Sequence, residues 1–212
     1  MNISILEKLV AGTSALLFSM SVLATTPSPT PEPEPTPPSC EVDCDFTRGP
    51  DPTSSYLEAE SGPYSVGSKY IGYYDAPGFG GGTIHYPTGT TGTMGAIAVA
   101  PGFVSPESSI IWWGPRIASH GFVVISIATN SIFDNEDSRA NQLSAALNYV
   151  ISRSNDSGSA IGGMVDGNRL GAIGWSMGGG GSLKLSTDRA LEAIIPQAPF
   201  YSGSNDFDTI TS

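Results

Sequence analysis

Residues 169–181 read Arg-Leu-Gly-Ala-Ile-Gly-Trp-Ser-Met-Gly-Gly-Gly-Gly, and this stretch decides the fold. An apolar run ending at Ile173 predicts a short buried strand, and Gly-Trp-Ser-Met-Gly (174–178) follows directly. The pattern Gly-x-Ser-x-Gly is typical of a nucleophile elbow, a sharp strand-to-helix turn with the serine at its tip. Glycine on both sides indicates a turn too tight for larger side chains. We therefore predict Ser176 as a nucleophile. The alternative, a Gly-Ser turn between core elements, leaves Trp175 unexplained.

The composition bounds the function of the 212-residue chain. Its hydrophobic content of 39% and aromatic content of 9% are enough for a packed core. Its net charge of -11 would repel nucleic-acid phosphates and anionic lipid. We expect a secreted monomer that acts on an uncharged substrate, with no nucleic acid and no membrane as partner once its leader is removed.

Three segments are predicted along the chain. Residues 1–24 predict a secretory signal peptide, because their apolar run is too short to span a bilayer comfortably; an uncleaved amphipathic anchor is the alternative. Residues 25–48 form a proline-rich linker, which favours extended polyproline II, and a cysteine-containing segment. Cys40 and Cys44 suit a local or long-range disulfide in an oxidising compartment, or are free thiols. Residues 49–212 form the predicted domain.

Strands alternate with helices in this domain. The predicted strands are residues 64–74, 82–86, 96–101, 122–128, 170–173 and 191–197, with a loop over 155–168. The predicted helices begin at Ser105 as N-cap, at Asp137 or Ser138 as N-cap, and just after Ser176. This order predicts an α/β fold whose central sheet is mostly parallel, with helices on both faces and an antiparallel start. The carboxyl ends of the strands then meet at one edge, beside the serine.

The serine needs partners for acyl transfer. A base must take its proton, and donors must stabilise the oxyanion of the tetrahedral intermediate. At a nucleophile elbow one donor is the backbone N–H after the serine, here Met177, and the other comes from an earlier strand-to-helix loop. That loop contains Phe103, so we predict the Phe103 N–H as the second donor and the Phe103 ring as part of the cleft.

Six motifs occur in the order found in one family. They are Gly-Pro-Asp-Pro-Thr (49–53), Leu-Glu-Ala (57–59), Trp-Trp-Gly-Pro-Arg (112–116), Ala-Ser-His-Gly-Phe-Val-Val (118–124), Gly-Trp-Ser-Met-Gly (174–178) and Pro-Gln-Ala-Pro (196–199). In these motifs the chain is similar to the secreted bacterial cutinases and poly(ethylene terephthalate) (PET) hydrolases, which have the dienelactone-hydrolase-like α/β-hydrolase fold. The likeness covers residue 49 to about residue 207.

This resemblance implies hydrolysis of carboxylic esters through an acyl-enzyme, without a metal or organic cofactor. Cutin, aromatic polyesters and short-chain esters are the implied substrates. Trp175 matches the family's aromatic subsite residue beside the serine. Phe200 falls where the family has a tryptophan that stacks on the substrate ring, so we expect weaker stacking. Core packing is the alternative role for both side chains.

The sequence departs from the family in its base and acid. The family order is serine, acid, histidine, yet both histidines of this chain, His85 and His120, precede Ser176. The resemblance implies a structural role for His120, and we expect His85 to be a surface or packed residue. The downstream acids do not match the family's acid; they are Asp188, Glu192, Asp206 and Asp208. We therefore expect the catalytic acid and base to lie beyond Ser212.

This expectation makes the chain the N-terminal portion of a longer hydrolase. It predicts that the chain as given is inactive, folds poorly and leaves an unpaired edge strand. Two other interpretations stay open: a general esterase or lipase of the same fold, and a natural truncation that serves as a non-catalytic binding module.

Overall fold

The computed structural model describes residues 53–203. The predicted signal peptide, the proline-rich linker, Cys40, Cys44, Asp206 and Asp208 lie outside the described residues. Within 53–203, no helix is long and apolar enough to cross a membrane.

Six strands form a single mixed sheet. The strands are β1 (Ser65–Ile71), β2 (Gly82–Thr88), β3 (Met94–Ala100), β4 (Val123–Ile127), β5 (Val165–Trp175) and β6 (Ala193–Gln197). The α-helices are α1 (Ser54–Glu58), α2 (Trp113–Ala118), α3 (Glu136–Ser154) and α4 (Met177–Asp188). The strand order is β1-β2-β4-β3-β5-β6. The first two strands pair antiparallel, as does β2 with β4, and the remaining pairs are parallel. The predicted α/β fold is confirmed.

Apolar side chains on both faces of the sheet explain why helices cover it. All five residues of β4 are buried. On one face, α3 packs Leu143, Leu147 and Val150 into the larger core cluster. On the other face, α2 packs Trp113 against a smaller cluster that includes Val124 of β4. A strand buried on both faces is typical of a parallel sheet enclosed between helices.

The predicted helix start at Ser105 is wrong. The Ser105 hydroxyl donates a hydrogen bond to the Phe103 carbonyl (3.2 Å), and a 3-10 turn at Glu107–Ser109 precedes α2, which begins at Trp113. The physical reason is Pro115. Proline has no N–H to donate and is tolerated only in the first turn of a helix, so an α-helix containing Pro115 must begin close to it.

The predicted N-cap of α3 is also wrong. Asn135 is the cap, and its side-chain oxygen accepts the Ser138 N–H (3.0 Å). Asp137 lies instead in the first turn of the helix, where a negative charge interacts favourably with the helix dipole. Asn, Asp and Ser are all good caps, so the sequence pattern alone did not decide among neighbouring residues.

The strand boundaries differ from the prediction by up to three residues, except at the start of β5, where the difference is five. Strand β5 begins at Val165, inside the predicted loop 155–168. The prediction missed this start because the first five residues of the strand are partly buried or exposed, and most of them are not apolar. Their pairing with β3 shifts in register between Met94 and Ala96. At the other side of the sheet, β6 is an edge strand in the described part of the chain, and its Ile195 is half-exposed.

Candidate active site

Ser176 occupies a strained position between β5 and α4. Its backbone angles are φ 53° and ψ -115°, a conformation that residues with a side chain rarely adopt. Three backbone hydrogen bonds hold it there. The Ser176 N–H donates to Gln197 (2.9 Å), while the Ser176 carbonyl accepts from Gly180 (3.0 Å) and Phe200 (2.9 Å). The surrounding loops therefore fix the serine at the tip of the turn.

The two glycines of the elbow lie where a side chain has no room. A Cβ atom at Gly174 would overlap the backbone of Gly178, and a Cβ atom at Gly178 would overlap the carbonyl oxygens of Ala100 and Pro101. The turn is thus closed on itself and packed against the end of β3. The predicted tightness of this turn is confirmed.

This geometry predicts a large difference between two glycines of the same strand. Gly174→Ala should lower the free energy of unfolding by about 3 kcal/mol, because the backbone of the elbow has to move. Gly167→Ala is the matched control. A Cβ atom there would meet only the Ile151 methyl at 3.9 Å, so a change within about 0.5 kcal/mol is expected. Urea unfolding of both variants measures the two free energies of unfolding. Equal losses of free energy in Gly174→Ala and Gly167→Ala would contradict the description of the elbow.

The predicted oxyanion loop lies directly beside the serine. A Cβ atom built on Gly102 would stand 3.3 Å from the Ser176 Cβ and 3.0 Å from the Trp175 ring. Phe103 therefore directly follows a residue that leaves no room for a side chain beside Ser176. Met177 begins α4, so its N–H belongs to the first turn, where backbone N–H groups have no partner within the helix. The structure brings Ser176, Met177 and the Phe103 loop together.

Aromatic side chains surround this point and are open to solvent. The exposed fractions are 49% for Phe103, 42% for Trp175 and 51% for Phe200, values that fit a cleft lining better than core packing. Phe133 is 68% exposed and packs edge-on against Phe103, with ring centroids 6.1 Å apart. Phe133 was not predicted from the sequence, although it lies in the loop between β4 and α3, at the edge of the sheet where the predicted site lies.

A buried arginine ties the loops of the site together. Arg139 of α3 is fully buried and forms an ion pair with Asp134. Its guanidinium also donates to the carbonyls of Gly102 (3.1 Å) and Ser131 (3.2 Å). Burial lowers the pKa of Arg139, and the Asp134 carboxylate acts in the opposite direction. The arginine thus fixes both the predicted oxyanion loop at Gly102 and the loop that contains Ser131 and Phe133. Its position on the buried stripe of α3, four residues before Leu143, was the missed signal.

Glu136, at the start of α3, holds the Phe200 loop. Its carboxylate accepts hydrogen bonds from the Ser202 N–H (3.0 Å) and from the Ser202 hydroxyl. Burial acts to raise the pKa of Glu136, but the hydrogen bonds from Ser202 favour the charged form and leave the pKa below its usual value. Glu136 and Arg139, about one turn apart on α3, both anchor loops that carry the aromatic side chains, and neither was predicted from sequence.

Neither histidine lies beside the serine. His120 comes just before β4, at the opposite edge of the sheet from the carboxyl end of β5, and its Nδ1 lies 2.7 Å from the Tyr56 hydroxyl. His85 is buried in β2 against Gly114. Within the described residues both its ring nitrogens lack a hydrogen-bond partner, and burial lowers its pKa.

The downstream acids that the structure describes are equally distant. Asp188 ends α4, and Glu192 lies just before β6, with its N–H bonded to Leu170 at the start of the apolar part of β5. Both therefore lie at the far edge of the sheet from Ser176. The described part of the chain contains no group of three or more His, Cys, Asp or Glu arranged to hold a metal ion.

A mostly parallel sheet that carries a serine in a strained strand-to-helix elbow defines an α/β hydrolase. Comparison with known proteins agrees. The profile of the family described as "PETase: PET hydrolase-like" matches residues 41–212. Lipase 1 of Moraxella sp. (strain TA144) is 57% identical over 148 residues, which are 68% of this chain and 45% of the relative. The chain belongs to the PET hydrolase-like family.

Two cutinases show the same likeness. Cutinase 2 of Thermobifida cellulosilytica is 50% identical over 161 residues, 76% of this chain and 60% of the relative. Cutinase est2 of Thermobifida alba is 52% identical over 157 residues, 74% of this chain and 51% of the relative. The chain spans about half the length of the curated relatives it matches.

Proposed function

We propose that this chain carries the nucleophile half of a secreted serine carboxylic-ester hydrolase that acts on polyesters such as cutin and aromatic polyesters. The observation that carries the proposal is the strained Ser176 at the centre of a ring of exposed aromatic side chains. The names of the relatives, cutinase and lipase, support the class of reaction. The residues assigned to the site are Ser176, Met177, Phe103, Trp175, Phe200 and Phe133.

The chemistry follows from their placement. A base takes the Ser176 hydroxyl proton while Oγ forms a bond to the ester carbonyl carbon. The carbonyl oxygen becomes an oxyanion, which accepts hydrogen bonds from the backbone N–H groups of Met177 and Phe103. The bond to the alcohol then breaks, and the alcohol leaves with the proton from the base. Water repeats the sequence on the acyl-enzyme and releases the carboxylic acid.

The base is the group that these residues do not supply. His85 and His120 are the chain's two histidines, and both lie away from Ser176. A serine without its base retains only about 10³–10⁴-fold catalysis over water. We therefore propose that a histidine outside these 212 residues completes the site.

The group of exposed aromatic side chains around Ser176 supports a polyester substrate. Flat aromatic side chains stack on planar or extended chains and offer large apolar area with few polar requirements. A short-chain ester would contact only the groups next to the serine. The 57% sequence identity to Lipase 1 favours a second candidate function, a general esterase or lipase that acts on short-chain esters.

Substrate preference can be tested in an active form of the protein. We consider a chimera in which this chain continues into the C-terminal part of Cutinase 2 that lies beyond the matched segment. Trp175→Ala in the chimera should slow release of products from an aromatic polyester film about tenfold, because one stacking partner is lost. The same change should alter the rate on p-nitrophenyl butyrate only slightly. Tyr74→Ala, a substitution at a solvent-exposed tyrosine outside the site, is the control. An equal loss on both substrates would favour the general esterase.

A further inference from the structure

A second concave site lies away from the serine. It is a cavity of about 750 Å³ between β1, the end of α3 and the loop that follows α3. Tyr149 and Arg153 of α3 line it, some 13 to 17 residues along the helix from Glu136, which corresponds to roughly 20–25 Å. None of its lining residues belongs to the candidate active site. A cavity of this size is in the range that holds small organic ligands.

The floor of this cavity is apolar. Ile71, Ile84 and Ile161 line it, and all three are buried members of the larger core cluster. The ring of Tyr149 stands at its wall, partly buried and packed edge-on against Phe79 with centroids 5.7 Å apart. An apolar body, such as a ring or a short acyl chain, would therefore replace water over already hydrophobic surface.

The rim of the cavity carries positive charge in an acidic protein. Lys69 and Arg153 line it, two of the seven lysines and arginines of residues 53–203. Arg153 forms an exposed ion pair with Asp156 (3.0 Å), which contributes little and can exchange partners. Among those seven cations, Lys69 alone has neither an ion pair nor a hydrogen bond within the described residues.

One acidic group faces the same space. Asp75 lines the cavity. Burial raises the pKa of the Tyr149 phenol, Arg153 acts to lower it and Asp75 to raise it, so both charges lie near the phenol. Asp75 forms no ion pair with Lys69 in the described part of the chain. The ammonium group of Lys69 is therefore available to a ligand.

We propose that this cavity binds a small carboxylate with an apolar body, an aromatic ring or a short acyl chain, with the carboxylate on Lys69 and the body over the three isoleucines. Carboxylic acids are the class of product that ester hydrolysis releases. In that one respect the biological meaning of the site rests on the proposed function, whereas binding itself does not involve Ser176.

Titration with benzoate, followed by amide NMR on the 212-residue chain and in parallel on the chimera, tests this site. Benzoate should shift the amide signals of Lys69, Tyr149 and Ile161 with saturation, and the uncharged isostere benzamide should bind more weakly. Lys69→Glu should weaken benzoate binding about tenfold or more, the loss expected of one charge-assisted hydrogen bond. Lys184→Glu makes the same charge change on α4 and should leave binding unaltered.

A second variant separates the cavity from the charge. Ala160 is exposed and lines the cavity, so Ala160→Trp should obstruct it without disturbing the core, and both probes should lose binding. Shifts confined to Gly102 and Trp175, equal binding of benzamide, or an equal loss in Lys184→Glu would each overturn the proposal. Hydrolysis assays are independent of this readout: a chimera that binds benzoate at Lys69 but hydrolyses no ester would refute only the proposed function.

Discussion

The 212-residue chain is expected to hydrolyse p-nitrophenyl butyrate on the order of 10⁶-fold more slowly than the chimera with Cutinase 2, the loss typical of removing a catalytic histidine. The reason is positional. Ser176 is held in its strained elbow, yet His120 lies at the opposite edge of the sheet and His85 is buried in β2. Initial rates at saturating substrate make the comparison.

Two controls accompany this measurement. His120→Gln and His85→Gln should leave the residual rate of the 212-residue chain unchanged, since neither imidazole contacts the serine. Ser176→Ala in the chimera should lower its rate to that of the chain alone. If the chain alone matched the chimera within tenfold, a base would exist among its own residues, and the account of the histidines would be wrong.

Arg139→Met is expected to lower the free energy of unfolding by about 3–5 kcal/mol, because the Asp134 carboxylate then loses its partner in a largely buried setting. The same change frees the Gly102 and Ser131 carbonyls from the guanidinium. In the chimera, we therefore expect kcat to fall more than the loss of folded protein accounts for, since the oxyanion loop is no longer fixed.

Arg153→Met is the matched control for this prediction. It removes an arginine from the same helix whose partner, Asp156, is well exposed, so a change within about 0.5 kcal/mol is expected. The double variant Arg139→Met with Asp134→Leu should regain part of the stability, because no charge is left unpaired. Urea unfolding measures all three. Equal losses for Arg139→Met and Arg153→Met would contradict the role assigned to the buried ion pair.

Local patterns explain what the sequence could predict. The elbow was predicted because Gly174, Ser176 and Gly178 lie within five residues, and a turn that tight is dictated by their size alone. Strands β3 and β4 were equally clear, since a short apolar run between predicted helices is typical of a strand buried on both faces. These two features together were enough to predict the α/β fold and the edge at which the site lies.

Contacts between distant segments explain what could not be predicted. Arg139 on α3 was not singled out from the sequence, but the structure pairs it with carbonyls from two loops, one of them 37 residues earlier. Glu136 similarly meets Ser202, which is 66 residues away. The start of α2 depended on Pro115 and the cap of α3 on Asn135, where several good cap formers compete. Phe133 gained a role only through its contact with Phe103.

A fluorophosphonate ester that reacts only with activated serines tests the central claim. The claim is that Ser176 is placed as the nucleophile but needs a base that the 212-residue chain does not supply. Intact mass and peptide mapping of the chimera should show one adduct, on Ser176, formed within minutes, while the 212-residue chain should acquire it far more slowly and Ser176→Ala not at all. An adduct on a different serine, or a chimera that hydrolyses esters without Ser176 becoming labelled, would contradict the account.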